Sequence, residues 1–195
     1  MSSRQYITRA IVCGSKHSMT SDKSYLLFTQ ELGMLWATAR SVRMEKSKQR
    51  YALQDFSLIR VSLVQGKAVW RIGSVEALSN PFLGASSRAA RGGVSFVLKA
   101  VRRYIHGEEA MGQIFLDTQE ALSTLCGIDT VKEIEVYQQV FMIRMLHELG
   151  YITNTPQLQE IIQAPSLGEA CDRYTPALDV VVTKSIEHAS QVSHL

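Results

Sequence analysis

The chain has 195 residues, 46% of them hydrophobic and 20% charged, with a net charge of +3 and a mean hydropathy of −0.01. These values exclude a disordered or collagen-like chain and leave apolar material for a packed core, in one large domain or two small ones. The longest apolar runs, such as Val140-Phe-Met-Ile143, fall far short of the roughly 20 residues of a membrane span, and Met-Ser-Ser-Arg-Gln-Tyr has no apolar centre for a secretory signal.

Tyr6-Ile-Thr-Arg-Ala-Ile-Val-Cys-Gly14 is rich in β-branched and aromatic residues and reads as a first strand. Residues 15–24 are polar and turn-like, Tyr25–Thr29 is a short apolar strand, and Gln30–Gly33 is a turn. Met34–Val42 reads as a third strand, with Trp36, Thr38 and Arg40 on one face and Leu35, Ala37 and Ala39 on the other. Phe56–Val64 alternates as a fourth strand, Gln65-Gly-Lys67 turns, and Ala68, Trp70 and Ile72 line one face of a fifth. Five short strands joined by hairpins fit a small closed antiparallel barrel, for which the oligonucleotide-binding (OB) fold is the economical candidate and an SH3-like barrel the runner-up.

After Glu76 the pattern changes. Asn80-Pro-Phe82 and the Gly84-Ala-Ser-Ser stretch mark a boundary. Val94, Val97, Leu98, Val101 and Ile105 form a helical stripe. Glu108-Glu109 suit the start of a second helix ending at Gly127, and Asp129 suits the N-cap of a third, running from Thr130 to Leu149 and closed by Gly150. Short helices are expected near Pro156 and Pro165, and a last one over Thr175–His188. The expected fold class is α+β: a five-stranded OB barrel over residues 1–78, then a helical domain over 79–195.

Charge is unevenly placed. Residues 1–75 hold 12 Lys/Arg and 4 Asp/Glu, a net of +8, while residues 76–195 hold 9 and 14, a net of −5. Such asymmetry points to a polyanionic partner for the basic part, or to mutual attraction of the two parts. The densest stretch is Arg40-Ser-Val-Arg-Met-Glu-Lys-Ser-Lys-Gln-Arg50, with five cations and one acid between two expected strands. A basic loop beside an aromatic-bearing barrel face is how single strands are held, with charge along the phosphates and rings under the bases. A solvated basic hairpin with no ligand is the alternative. Trp36 can stack a base or fill the barrel core, and the core is the preferred reading; Trp70, Tyr25 and Phe28 read as core. Catalytic groups are not evident. The five histidines are scattered, His147 reads as a satisfied core histidine, and residues 84–93 lack the Gly-Lys-Ser/Thr ending of a phosphate loop. Cys13, Cys126 and Cys171 form no CxxC and are expected to be buried, inert thiols.

At Tyr6-Ile-Thr-Arg-Ala-Ile-Val, Ser21-Asp-Lys, Leu27-Phe-Thr-Gln-Glu-Leu-Gly, Leu35-Trp-Ala-Thr-Ala-Arg-Ser-Val-Arg, Lys46-Ser-Lys and Ala52-Leu-Gln-Asp-Phe-Ser-Leu the sequence resembles the RecO family of bacterial recombination mediators. A weaker echo follows at Arg103-Tyr-Ile-His-Gly-Glu-Glu and Phe141-Met-Ile-Arg-Met-Leu-His-Glu-Leu-Gly-Tyr151. The resemblance implies an N-terminal OB barrel, a helical domain, and a non-enzymatic role in DNA repair by recombination. It implies binding of single- and double-stranded DNA, annealing of complementary strands, and RecA loading with RecR and the single-strand-binding protein. The family's DNA-contacting positions map onto Arg40, Arg43, Lys46, Lys48 and Arg50, with Arg9, Lys23 and Trp36 added. Many members carry a four-cysteine zinc site after the motif matched by Leu149-Gly-Tyr151. This chain has Ile152-Thr-Asn-Thr-Pro there, so no metal or other cofactor is expected. The expected location is the bacterial cytoplasm, at the nucleoid, with no membrane partner. The alternative function is a protein-interaction adaptor whose barrel binds an acidic peptide tail.

Overall fold

The computed structural model describes residues 4–17, 21–42, 44, 47, 49–67 and 69–193. The chain forms two compact units, Met1–Gly84 with Ile105–Phe115, and Ala85–Tyr104 with Leu116–Leu195.

The first unit is a closed barrel of five strands: β1 (Gln5–His17), β2 (Lys23–Thr29), β3 (Gly33–Ala39), β4 (Leu58–Gln65) and β5 (Trp70–Ser79). Around the barrel the order is β1-β2-β3-β5-β4, closing on β1, the arrangement of an OB fold. The expectation of antiparallel hairpins throughout is corrected at one seam. β3 and β5 run parallel, pairing Ala37 with Trp70 and Thr38 with Arg71. The basic segment after β3 is too long for a hairpin, so β4 pairs with β1 and β5 returns alongside β3.

The alternation dictates the core. Ala10, Val12, Tyr25, Leu27, Leu35, Ala37, Ala39, Ile59, Val61, Leu63, Trp70 and Ile72 are buried together inside. Each large apolar side chain enclosed this way contributes about 1.5–3 kcal/mol, and the three alanines leave room for the Tyr25 and Trp70 rings. Trp70, Tyr25 and Phe28 are core, as the pattern indicates, but Trp36 is not: it is 41% exposed, because its register places it outside. The third strand ends at Ala39 rather than Val42, because a turn follows in which the Ser41 N–H donates to Asp22 Oδ1 (2.8 Å).

A register shift between Val12 and Gly14 marks a bulge at Cys13. An extra residue bends a strand and resets its alternation, so β1 continues to His17 and serves both β4 and β2. Residues 105–115 also belong to this unit. The Met34 N–H donates to the Gly107 carbonyl (2.9 Å), and Gly33, at φ +66°, lies flat against the backbone of Glu109. That contact holds Glu108-Glu109 outside a helix, so the helix expected there begins at Gly112 instead.

Before β4 the chain makes one short turn of helix, α1 (Gln49–Ala52). The remaining helices are α2 (Arg88–Tyr104), α3 (Gly112–Leu125), α4 (Val131–Glu148), α5 (Gln159–Ile162), α6 (Leu167–Asp172) and α7 (Asp179–Val192). In the second unit, α2 buries Val94, Val97, Leu98 and Val101 and packs on α4. Gly93 permits that approach, since a Cβ there would stand 3.0 Å from Ile134 Cγ2. The expected N-cap Asp129 is corrected to Thr130, because the Asp129 carboxylate accepts instead from Ser86 Oγ (2.7 Å). Gly150, at φ +79°, closes α4 with its N–H on the His147 carbonyl. His147 is half-buried, with Nδ1 2.8 Å from the Ile152 carbonyl, as expected of a satisfied histidine. Cys13 is buried; Cys126 and Cys171 are only partly so. Arg144 is buried against Asp117, with Nε–Oδ2 2.6 Å and Nη2–Oδ1 3.2 Å. Its Nη1 donates to the carbonyls of Ile161, Ile162 and Ala164, tying α4 to α3 and to the α5 region. Among the described residues no helix is long and apolar enough to cross a membrane.

Candidate nucleic-acid interface

Strand register builds one row across the outside of the barrel. Lys16 pairs with Ser24, Ser24 with Thr38, and Thr38 with Arg71. Strands lie about 4.8 Å apart, so the row places a cation at each end of a span of roughly 14 Å. The hydroxyls of Ser24 and Thr38 between them are 3.0 Å apart. The next row carries Gly14, Leu26 and Trp36. The Lys16 ammonium sits 4.1 Å from the centroid of the Trp36 ring, a distance at which ring and cation attract. This face therefore offers a half-open aromatic plane, hydroxyl donors and two cations. In OB folds the β2–β3 face is the oligonucleotide side.

Arg40 follows at the end of β3 and is exposed. Arg50 is exposed on α1, where its guanidinium lies over the Tyr51 ring at 4.7 Å and donates to the phenol oxygen (2.7 Å). The Gln49 side chain ties α1 to β5 through the Gly73 carbonyl (2.6 Å). Arg43, Lys46 and Lys48 lie outside the described residues.

Lys23 and Arg50 are brought together. With Ser15, Tyr25, Val42 and Asp55 they line a pocket of about 510 Å3. The Lys23 ammonium stands 5.2 Å from the Tyr25 ring. Burial, then the Asp55 charge, pushes the Tyr25 phenol up to about 12, so it stays a neutral hydroxyl at physiological pH. Arg9 is not part of either group. It lies opposite Arg60 in the β1–β4 register, and its Nε donates to Gln30 (3.0 Å).

Lys16 and Arg71 escape the sequence reading. Lys16 sits in a polar stretch that looks like a turn until the bulge at Cys13 is known. Arg71 does carry a signal, since it alternates with the inward-facing Trp70 and Ile72. Among the described residues no three His, Cys, Asp or Glu side chains are grouped to hold a metal ion. Of the three cysteines, Cys13 is buried and Cys126 and Cys171 are partly exposed.

Residues 1–81 match the family model described as recombination protein O N terminal. The chain is 29% identical over 153 residues to the DNA repair protein RecO of Dehalococcoides mccartyi strain 195, a match covering 78% of this chain and 58% of the relative. It is 23% identical over 146 residues to the DNA repair protein RecO of Clostridium novyi strain NT, covering 74% and 56%. The matched stretch is thus less than two thirds of the relatives' own length. The barrel order and the family match agree over residues 1–81, and over about three-quarters of its length the chain is similar to proteins named DNA repair protein RecO.

Proposed function

We propose that the chain is a DNA-binding mediator of recombinational repair, acting by charge neutralisation rather than by bond-making chemistry. The observation that carries this reading is the barrel face that presents Lys16, Trp36 and Arg71 beside Arg40. Stacked bases on Trp36 and phosphates on the surrounding cations fit a single strand crossing β2 and β3. Arg43, Lys46, Lys48 and Arg50 extend the cationic path, and Lys23 lends charge at the Arg50 pocket; Arg9 serves as an outlying contact. Annealing follows from the same physics, since two polyanions approach once their charge is screened. Duplex binding, and loading of RecA with RecR and the single-strand-binding protein, belong to the same proposal, supported by the likeness to RecO proteins.

The test is fluorescence anisotropy of labelled single-stranded DNA with the whole chain and with a variant carrying Arg40, Arg43, Lys46, Lys48 and Arg50 all changed to alanine. The reading expects low-salt binding by the parent and at least tenfold weaker binding by the folded variant. Equal binding by both removes the basic segment from the interface. Preference for an oligoglutamate peptide over DNA supports the adaptor instead, and cleavage of labelled DNA with magnesium supports an enzyme.

A further inference from the structure

The second unit carries its negative charge unevenly. Residues 116–195 hold four Lys/Arg against eleven Asp/Glu, a net of −7. Residues 85–104, almost all of them α2, hold Arg88, Arg91, Lys99, Arg102 and Arg103 and no acid. All five are exposed. At 3.6 residues per turn they fall within an arc of about 120°, opposite the buried Val94, Val97 and Val101. From Arg88 to Arg102 the stripe runs about 21 Å along the helix. Gly92 and Ser95 lie on the same arc between its ends, and a Cβ on Gly92 would meet nothing within 4 Å, so the middle stays low and open.

Surface cations of a folded domain are ordinarily set among acids. Here the ion pairs among the described residues are Arg60–Glu76, Arg144–Asp117 and Arg173–Glu169, and none involves Arg88, Arg91, Lys99 or Arg102. Glu135 of α4 lines a groove with Phe96 and Lys99 along one flank of α2. The stripe carries cations at both ends of one helix face, which suits a polyanion lying along it.

We propose that the exposed face of α2 is a second DNA site, binding the phosphate backbone through Arg88, Arg91, Lys99 and Arg102. The inference rests on the reading of the chain as a DNA-binding protein and adds a contact surface in the helical unit. Acids elsewhere in that unit repel a phosphate chain and confine it to the stripe. A chain with a cationic surface on each unit can hold two DNA segments at once, which is what strand pairing requires.

The experiment uses the full chain with Arg88, Arg91, Lys99 and Arg102 changed to alanine, beside the alanine variant of the basic segment described above. Binding of a short labelled duplex is followed across about 50–200 mM salt, where each phosphate contact contributes about 0.9 to the log–log slope. The α2 variant is expected to lower the slope by about 3.6 and to lose at least tenfold in affinity at the upper salt. A lysine-for-arginine version at residues 88, 91 and 102 is expected to restore both. Circular dichroism confirms that each variant is folded. An unchanged slope in the α2 variant overturns the proposal, and does so without touching the barrel reading if the other variant has lost binding. A lowered slope in the α2 variant beside an unchanged one in the other supports the α2 site and sinks the barrel reading. Loss of oligoglutamate binding with DNA binding intact also overturns the proposal, in favour of an acidic-peptide site.

Discussion

Replacing Arg144 with alanine removes five hydrogen bonds at one point of the helical unit, two to Asp117 and three to the carbonyls of Ile161, Ile162 and Ala164. Both partners of the ion pair are buried, with side chains 5% and 6% exposed. Taking away one partner leaves the buried Asp117 carboxylate without its guanidinium, a change that costs about 3–5 kcal/mol. That is a large share of the roughly 5–15 kcal/mol that holds a domain together. With a urea dependence of about 1–3 kcal/mol per M, the unfolding midpoint of the helical unit should fall by at least about 1 M. Far-ultraviolet circular dichroism in urea reads this directly. Arg144→Lys keeps the charge but loses the planar fork, so it should fall between parent and alanine. Arg144→Met combined with Asp117→Leu should recover part of the loss, because the buried negative charge is gone while the three carbonyls still lack the Arg144 donor. A cost below about 1 kcal/mol for Arg144→Ala, a value ordinary for an exposed pair, would refute the view that this arginine staples α3, α4 and the α5 region.

Gly33→Ala should destabilise the barrel unit by about 2–4 kcal/mol, from the left-handed φ of +66° and a Cβ driven into the backbone of Gly107 and Glu109; a urea midpoint equal to the parent's contradicts that packing. Burial, then Glu120 and Asp172, pushes the Cys171 thiol from its ordinary value of 9.0 up to about 12. The native chain therefore holds a proton that the unfolded chain releases near pH 9, and this contribution to stability is intact below that pH and declines as pH rises towards 12. At pH 9, iodoacetamide should label Cys171 far more slowly in the native protein than in urea, and equal rates would disprove the shift. Trp36→Ala should weaken single-strand binding by about 1–3 kcal/mol while leaving the unfolding midpoint nearly unchanged, because the ring is outside the core; anisotropy and urea melts on one preparation separate the two effects.

Much of the fold was legible where a single periodicity ruled. The apolar run Tyr25–Thr29 and the alternation along Met34–Ala39 and Ile59–Leu63 marked the strands, and Val94, Val97, Leu98 and Val101 marked the buried side of α2. What escaped depended on contacts distant in sequence. The bulge at Cys13 shifts the alternation of β1 by one residue, so Ser15-Lys16-His17 looked like a turn. The parallel pairing of β3 with β5 follows from where β4 docks, and no local pattern records that. Residues 105–115 join the barrel unit through the Gly33 and Met34 backbone, which overrides the helix-start preference of two glutamates. The core reading preferred for Trp36 fails, and its alternation with Leu35 and Ala37 already pointed outward. The basic segment drew the eye because its cations are contiguous, whereas those of α2 are spaced by helical turns and diluted by the acidic remainder of its unit.

The central claim is that the outer β1-β2-β3-β5 face carries DNA by phosphate neutralisation. It is tested most directly by the salt dependence of single-strand binding in the parent and in a folded variant with Lys16, Arg40 and Arg71 changed to alanine. At about 0.7 in slope per contact, the account predicts a slope shallower by about 2, with weaker binding at every salt concentration. Superimposable salt curves for the two proteins would contradict it.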